Sequence, residues 1–280
     1  MNKSIKITKM QGLGNDFVVI DYDEYQKSGL EMAELAKKIC DRNFGIGADG
    51  MIIPDLTTKE TDIGWYFYNS DGTTAQMCGN GMRCFAKYVY DKGYVKKSEF
   101  TVKTLAGIIK PKLLENGEVT VDMGAPILEN SKIPYLAQEN NKLKIADRIF
   151  DINPVSMGNP HCVIFTDENP LEFAQHYGAD IEQHPSFPEK TNVEFVKVIS
   201  PAEIEMRVWE RGCGITLACG TGACASVVQG ILNNLTQSKV KVNLLGGSLI
   251  VEWRGNKGNP HEHVFMTGSA NYVFEANYYL

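Results

Sequence analysis

Gly14-Asn15-Asp16-Phe17-Val18-Val19-Ile20 and Gly158-Asn159-Pro160-His161-Cys162-Val163-Ile164 share a pattern 144 positions apart. Ala75-Gln76-Met77-Cys78-Gly79-Asn80-Gly81 and Thr216-Leu217-Ala218-Cys219-Gly220-Thr221-Gly222 share another, their cysteines 141 positions apart. One short match carries little weight. Two, in the same order and at nearly the same offset in a chain of 280 residues, read as a duplicated unit. The expected architecture is two pseudo-symmetric halves, each with one Cys-Gly-x-Gly. Residues 1–122 with 268–280 form the expected N-terminal half carrying Cys78, and residues 123–267 the C-terminal half carrying Cys219.

The flanking residues set the fold class. Strands are expected at Ile5–Met10 and Phe17–Asp21, and in the second half at Val155–Met157 and Val163–Thr166. Further strands are read at Thr101–Lys112, Glu118–Met123, Glu203–Trp209, Val240–Asn243, Ser248–Trp253 and His263–Met266. Helical periodicity marks Met32–Arg42, Asn80–Lys92 and Thr221–Asn234. The last of these is apolar nearly all round, through Ala223, Cys224, Val227, Val228, Ile231 and Leu232, so it should be enclosed by protein. Strands outnumber helices. The class is α+β, with each half a mixed sheet curled as a barrel around one central helix.

Composition narrows the function. With 28 Lys+Arg against 34 Asp+Glu and a net charge of −6, and without a basic block, the chain does not read as a nucleic-acid binder. The N-terminus has no apolar leader-like stretch. Gly212–Ser238 lacks charge, but its glycines, threonines and amides make it too polar for a membrane span. Seven cysteines, an odd number without a secretion signal, point to free thiols in a reducing cytoplasm. There is no C-x-x-C pair, and the five histidines do not fall at zinc-finger spacings, so no metal site is expected.

A glycine-rich turn opening a helix presents unpaired backbone N–H groups and the positive end of the helix dipole, which together bind a carboxylate. The same setting lowers a thiol pKa from about 8.5 toward neutrality. A single Cys-Gly-x-Gly is as well explained by a tight turn with a packed thiol. Two copies in symmetric halves suit a different chemistry: one thiolate removes a proton from one face of a carbon, and one thiol returns a proton to the other. Cys40, Cys84, Cys162, Cys213 and Cys224 read as packing residues. Glu210-Arg211-Gly212 leads into the second loop and could hold an ammonium and a carboxylate. Asn15, Asn69, Asn80, Asn159 and Asn192 sit at loop or strand ends. Each alone is an ordinary turn former, but convergence would make a polar lining.

Taken as a set, Gln11–Phe17, Gly45–Gly50, Tyr68–Gly72, Gln76–Cys84, Ser156–His161, Glu210–Gly212, Ala218–Gly222, Gly246–Ser248 and Met266–Gly268 resemble the diaminopimelate epimerase family, in the family's order and over essentially the whole chain. The resemblance implies a cofactor-independent isomerase that interconverts LL- and meso-diaminopimelate, for lysine and cell-wall precursors, in an active site between two similar domains. It implies Cys78 and Cys219 as the acid/base pair. Asn15, Asn69, Asn159, Asn192, Glu210 and Arg211 would bind substrate. The main chains of Gly79, Asn80, Gly220 and Thr221 would hold its reacting carboxylate, and His161 and Glu210 would tune the cysteines. It also implies a cytoplasmic homodimer, formed partly through the C-terminal tail. Two positions depart from the family: Gly50 stands where some members have a substrate-contacting glutamine, and Ile215 where glutamate is frequent.

Two other readings compete. Proline and hydroxyproline racemases share the two cysteines but usually carry histidine where this chain has Asn80, and Arg211 favours a substrate with a distal carboxylate. A non-catalytic dithiol redox or binding protein would use Cys78 and Cys219 as a reversible disulfide. Only an isomerase exchanges the substrate α-proton with solvent.

Overall fold

A computed structural model of the chain describes residues 3–75, 77–137 and 139–280. Met1, Asn2 and Gln76, the last of them within the first Cys-Gly-x-Gly block, lie outside the described residues. In chain order the first elements are β1 (Ser4–Gly12), β2 (Asn15–Val19), α1 (Tyr22–Ser28), α2 (Met32–Cys40), β3 (Gly50–Asp55), β4 (Ile63–Asn69) and α3 (Gly79–Asp91). They are followed by β5 (Val102–Thr104), β6 (Gly107–Ile109), β7 (Lys112–Leu113) and β8 (Val119–Asp122). Next come β9 (Lys142–Ile145), β10 (Arg148–Asp151), β11 (Asn153–Ser156), β12 (Pro160–Phe165), α4 (Pro170–Glu182), β13 (Asn192–Ser200), β14 (Glu203–Glu210) and β15 (Gly214–Ile215). The remaining elements are α5 (Gly220–Leu232), β16 (Lys239–Leu244), β17 (Gly247–Trp253), β18 (Val264–Gly268) and β19 (Asn271–Tyr279). The class is α+β with mixed sheets. The chain forms two compact units, Met1–Val121 with Gly268–Leu280, and Asp122–Thr267.

The first unit holds a sheet in the order β19-β1-β2-β3-β4-β5-β6. β1 and β2 form an antiparallel hairpin closed by Leu13 and Gly14, both at positive φ (59° and 85°), the backbone twist that a two-residue hairpin loop requires. β2 pairs parallel to β3, and β3 antiparallel to β4. Successive strand side chains point to opposite faces. Ile5, Ile7, Val18, Ile20, Met51 and Ile53 therefore meet Leu35, Ala36 and Ile39 of α2. On the other face Phe17 and Trp65 each lie against Phe67, and Trp65 meets Phe85 of α3 edge-on at 5.6 Å. Helices cover both faces, so the strands read as apolar runs more than as alternation.

The second unit repeats this plan along β11-β12-β13-β14-β16-β17-β18, with β15 paired to β14. β12 and β13 are parallel, as are β14 and β16. One face buries Cys162, Ile164, Val193 and Phe195 against Phe173, Ala174 and Ile181 of α4, with Leu143, Ile145 and Phe150 of the β9–β10 hairpin. The other face receives α5, whose residues from Gly222 to Gly230 are all buried. This is the enclosed helix its composition requires.

Two differences from the sequence reading have physical causes. The expected strand over Thr101–Lys112 is the hairpin β5–β6, reversed at Leu105-Ala106 where Gly107 takes φ 103°, and followed by the separate strand β7. The helix expected to reach Arg42 stops at Cys40, because Asp41 turns to ψ 127°. The sequence reading did not anticipate α1, β3, β4, β9, β10, α4, β13, β15 or β19. No helix among the described residues is long and apolar enough to cross a membrane.

Candidate active site

Cys78 and Cys219 occupy the same place in their units. Each is the N-cap of a 13-residue helix and has extended backbone (φ −137°, ψ 109° and φ −117°, ψ 108°). Each sulfur accepts the N–H three residues on, Gly81 or Gly222, at 3.4 Å. The sulfur thus substitutes for the serine or aspartate oxygen of an ordinary cap. The next N–H groups, at Gly79 and Asn80 or Gly220 and Thr221, open the first turn, where no intrahelical acceptor exists.

Around Cys78, Asn15 begins β2, Gly50 begins β3 and Asn69 ends β4, so the ladders place all three at one end of the sheet. Asn15 Oδ1 accepts from Asn80 Nδ2 at 3.2 Å and lies 3.9 Å from Cys78 Sγ. Asn15 Nδ2 donates to Asp49. Arg83, fully buried on α3, donates from Nη1 to Asn80 Oδ1 at 2.8 Å and from Nε to the Ser269 carbonyl at 3.1 Å. Behind Asn15, Arg42 bridges Asp16 and Asp49 at 2.9 and 2.8 Å, and Lys9 pairs with Asp16 at 2.6 Å. Burial pulls the Asp16 carboxyl up, but Lys9 and Arg42 outweigh it and hold it below the usual carboxylate value. Asn69 stands slightly apart, with its Nδ2 on Thr73 Oγ1 at 3.0 Å. Gly50 has a structural reason: a Cβ there would lie 2.7 Å from the Tyr68 carbonyl oxygen, so a glutamine does not fit this backbone.

Around Cys219 the lining is more deeply buried. His161 and Glu194 are both completely inaccessible, with Nδ1 2.7 Å from Glu194 Oε1. His161 Nε2 lies 3.0 Å from Asn159 Oδ1. Asn192, the β13 partner of His161, uses Oδ1 to accept the Arg211 N–H at 3.0 Å and Nδ2 to donate to the Pro160 carbonyl at 2.8 Å. Its amide therefore braces the loop that carries Arg211. The Arg211 guanidinium reaches the Glu189 carbonyl at 3.1 Å, Glu210 accepts from the Thr216 hydroxyl, and Thr221 Oγ1 is 3.5 Å from Cys219 Sγ. Glu182 of α4 fastens the same loop through the Gly212 N–H at 3.0 Å and the Trp209 indole at 2.8 Å.

The expectation that both thiols are lowered fails at Cys219. Burial pushes this thiol well above its ordinary value, and the carboxylates of Glu210 and Glu194 push it further. The opposing Thr221 hydroxyl and Gly222 N–H are too weak to reverse this. Cys219 is held as a thiol.

Sequence reasoning thus placed Asn15, Asn80 and Cys78 together in one unit, and Asn159, His161, Asn192, Arg211 and Cys219 together in the other. It missed Glu194, Arg83, Glu182 and the Lys9–Asp16–Arg42–Asp49 network. A signal for two of these was present: Glu194 interrupts the apolar run Val193–Val196, and Arg83 lies between Met82 and Cys84 on the packed face of its helix. Among the described residues no group of three or more His, Cys, Asp or Glu side chains could hold a metal ion. No disulfide joins cysteines among the described residues.

Known proteins share this fold. Among solved structures, a PhzF-family phenazine biosynthesis protein from Bacillus anthracis superposes with a TM-score of 0.72 at 16% identity, covering 98% of this chain and 99% of that one. A hydroxyproline epimerase from Agrobacterium vitis with bound trans-4-hydroxy-L-proline gives 0.70 at 12% identity, over 100% and 94%. At such identities these share the fold. Sequence relatives are far closer. A diaminopimelate epimerase of Carboxydothermus hydrogenoformans is 49% identical over 99% of this chain and 100% of its own, and one of Desulfitobacterium hafniense 48% identical over 97% of each. The diaminopimelate epimerase family model matches residues 7–129 and 154–273, stretches that include both cysteine caps and every asparagine of the two linings. By that match and those identities, the chain belongs to the diaminopimelate epimerase family.

Proposed function

We propose that this protein interconverts LL- and meso-diaminopimelate by a two-cysteine acid–base reaction. The chain is an isomerase of its family. The observation that carries the mechanism is the repeated cap: two sulfurs in the same geometry, each accepting an N–H at the start of its unit's central helix. One cysteine, as thiolate, takes the α-proton, and the electron pair left on carbon delocalises into the α-carboxylate. The N–H groups of Gly79, Asn80, Gly220 and Thr221 stabilise that developing charge. The other cysteine, as thiol, delivers its proton to the opposite face. Atoms and charge balance, and the two cysteines end with exchanged protonation states.

Cys219, held protonated, is the donor in the resting state, which leaves Cys78 as the base in that direction. Asn15 and Asn69 in the first unit, and Asn159, Asn192, Glu210 and Arg211 in the second, bind or brace the substrate. Arg211 suits the distal carboxylate and Glu210 the ammonium. His161 and Glu210 tune the thiols. No cofactor is called for, since the carbanion is stabilised by backbone donors alone. The place of action is the cytoplasm, in lysine and peptidoglycan precursor synthesis. The working form is a homodimer, joined through β19. This is an edge strand exposed from Asn271 to Glu275, where Tyr272, Val273 and Phe274 are accessible.

The test is incubation with LL- or meso-diaminopimelate in deuterated water. Deuterium should enter the α-position during interconversion, without added cofactor and in the presence of chelator. A protein that binds diaminopimelate but exchanges no α-proton is not this enzyme. Exchange of proline or hydroxyproline instead would select the racemase reading.

A further inference from the structure

Arg83 takes no part in the mechanism above, yet its side chain is completely inaccessible on α3. A guanidinium stays charged and can only donate hydrogen bonds. Its Nη1 donates to Asn80 Oδ1 at 2.8 Å and its Nε to the Ser269 carbonyl at 3.1 Å. That fixes the sense of the Asn80 amide, because turning it over would set its NH₂ against the guanidinium. Asn80 Nδ2 then faces Asn15 Oδ1 at 3.2 Å and donates to it. With its oxygen so placed, Asn15 turns Nδ2 to Asp49, which also receives the Asp16 N–H at 3.0 Å and Arg42 at 2.8 Å. The direction of the chain does not depend on the protonation of Asp49. Reversing Asn80 would oppose an NH₂ and a guanidinium, and reversing Asn15 alone would oppose two NH₂ groups. The seat of Arg83 is kept open by Gly12 at the end of β1, where a Cβ would lie 2.9 Å from Arg83 Nη2.

We infer that Arg83 is a positioning residue: acting through Asn80, it locks Asn15 with the carbonyl oxygen, and not the NH₂, beside Cys78. Asn15 Oδ1 lies 3.9 Å from Cys78 Sγ. A protonated Cys78 thus has an acceptor for its S–H, both after it has taken the α-proton and, in the reverse direction, before it gives one up. The two lone pairs of Oδ1 are thereby assigned, and one Nδ2 hydrogen goes to Asp49. What Asn15 has left for a substrate is one N–H, so it meets the substrate as a donor to an acceptor such as a carboxylate oxygen. The device belongs to the first unit alone. At the 141-residue offset of the cysteines, Asn80 and Arg83 correspond to Thr221 and Cys224, which offer no amide and no guanidinium. The two thiols therefore have unlike neighbours: an amide carbonyl at Cys78, and at Cys219 the Thr221 hydroxyl at 3.5 Å. The amide senses follow from the contacts. What they do for the S–H and the substrate rests on the function proposed above.

The test is steady-state epimerisation of LL-diaminopimelate by Arg83→Met and Asn80→Asp. Methionine fills the place of the guanidinium without its donors. Asn80→Asp keeps an acceptor for Arg83 and keeps the main-chain N–H, but has no side-chain hydrogen to give Asn15. Each should lower kcat/KM about 10- to 100-fold, the scale of one charge-assisted hydrogen bond. Because both act through Asn15, adding either to Asn15→Ala should cost at most about twofold beyond Asn15→Ala alone. A change that merely loosened the fold would add its full loss. Wild-type kcat/KM in Asn80→Asp overturns the inference, and so do losses that add in full. If one variant does not fold, the other decides. A readout independent of turnover separates this inference from the proposed function. In nitrogen-15 spectra of the free protein, with Asn15→Ala identifying the signal, the Asn15 side-chain NH₂ should move in both Arg83→Met and Asn80→Asp. A signal that stays put in either folded variant overturns the inference. Movement in both, in a protein that exchanges no diaminopimelate proton, would sink the proposed function and leave this inference standing.

Discussion

A thiol that caps a helix is pulled two ways: the dipole and the N–H groups favour the thiolate, while burial and neighbouring carboxylates favour the thiol. At Cys219 the second set wins, with burial first and Glu210 and Glu194 after it. Because Glu210 raises this pKa, Glu210→Gln should lower it. The ultraviolet thiolate signal lost in Cys219→Ser should then appear at lower pH in the Glu210→Gln protein than in wild type. A midpoint that stays put or moves up would show that Glu210 does not act on the thiol. Serine tests the division of labour, since its hydroxyl fills the space but does not ionise near neutrality. Cys78→Ser and Cys219→Ser should each lose about 10²–10⁴-fold in epimerisation, the range of general acid–base catalysis. Each should retain solvent exchange at one stereoisomer only, and the two mutants should prefer opposite isomers. A shared preference would point to a single base.

At the scale of the element, the two central helices look interchangeable and are not. Gly81 and Gly222 stand at equivalent positions, each donating its N–H to the capping sulfur. An added Cβ at Gly81 would meet Phe67 at 3.3 Å and Cys78 Sγ at 3.4 Å, contacts that a ring and a half-buried thiol relieve by small shifts. At Gly222 it would meet the Glu194 carboxylate oxygen at 2.8 Å, and that oxygen is fixed by His161. Gly222→Ala should therefore cost about 1–3 kcal/mol, as for an overpacked core site, and remove most turnover. Gly81→Ala should cost clearly less. Chemical denaturation of the two variants measures the difference, and equal losses would mean that Glu194 yields freely. The α4 helix works at this scale too: it was not legible as a site element, yet its Glu182 holds the Gly212 N–H and the Trp209 indole that shape the Arg211 loop.

For the molecule as a whole, buried thiols set a stability limit at alkaline pH. Burial lifts Cys40 and Cys84 to about 12, and Cys162 and Cys219 well above their ordinary value. Folded-state values above unfolded ones mean that the unfolded chain releases these protons first. Their contribution is complete below about pH 8.5 and is lost as pH rises toward the folded values, at up to about 1.4 kcal/mol per pH unit for each thiol. The Tm should fall steeply between about pH 9 and 11. A flat profile over that range would show that these thiols ionise in place. The outer strand gives a second whole-molecule expectation. β19 presents Val273 at 53% and Phe274 at 43% exposure on an open sheet edge. Placing lysine at both should convert the proposed dimer to monomers in sedimentation, since edge charges block pairing. Persistence of the dimer would move the interface elsewhere.

Local chemistry made much of this protein readable from its residues. Two Cys-Gly-x-Gly turns at helix starts, the paired strands at Ile5–Met10 and Phe17–Asp21 and the apolar run of α5 depend on short-range geometry, and such geometry is written in neighbouring residues. The duplicated blocks extended that reading to two halves and to the asparagines that line them. Tertiary structure alone decided what those residues do to one another. That Asn192 spends its amide on the Arg211 and Pro160 main chains follows from which strand lies beside β12. That Gly50 excludes a longer side chain follows from the Tyr68 carbonyl across the ladder. That Cys219 is pushed up rather than down follows from burial and from carboxylates brought in by β13 and β14. Burial and electrostatics are sums over neighbours distant in sequence, so their sign is settled only when the chain has folded.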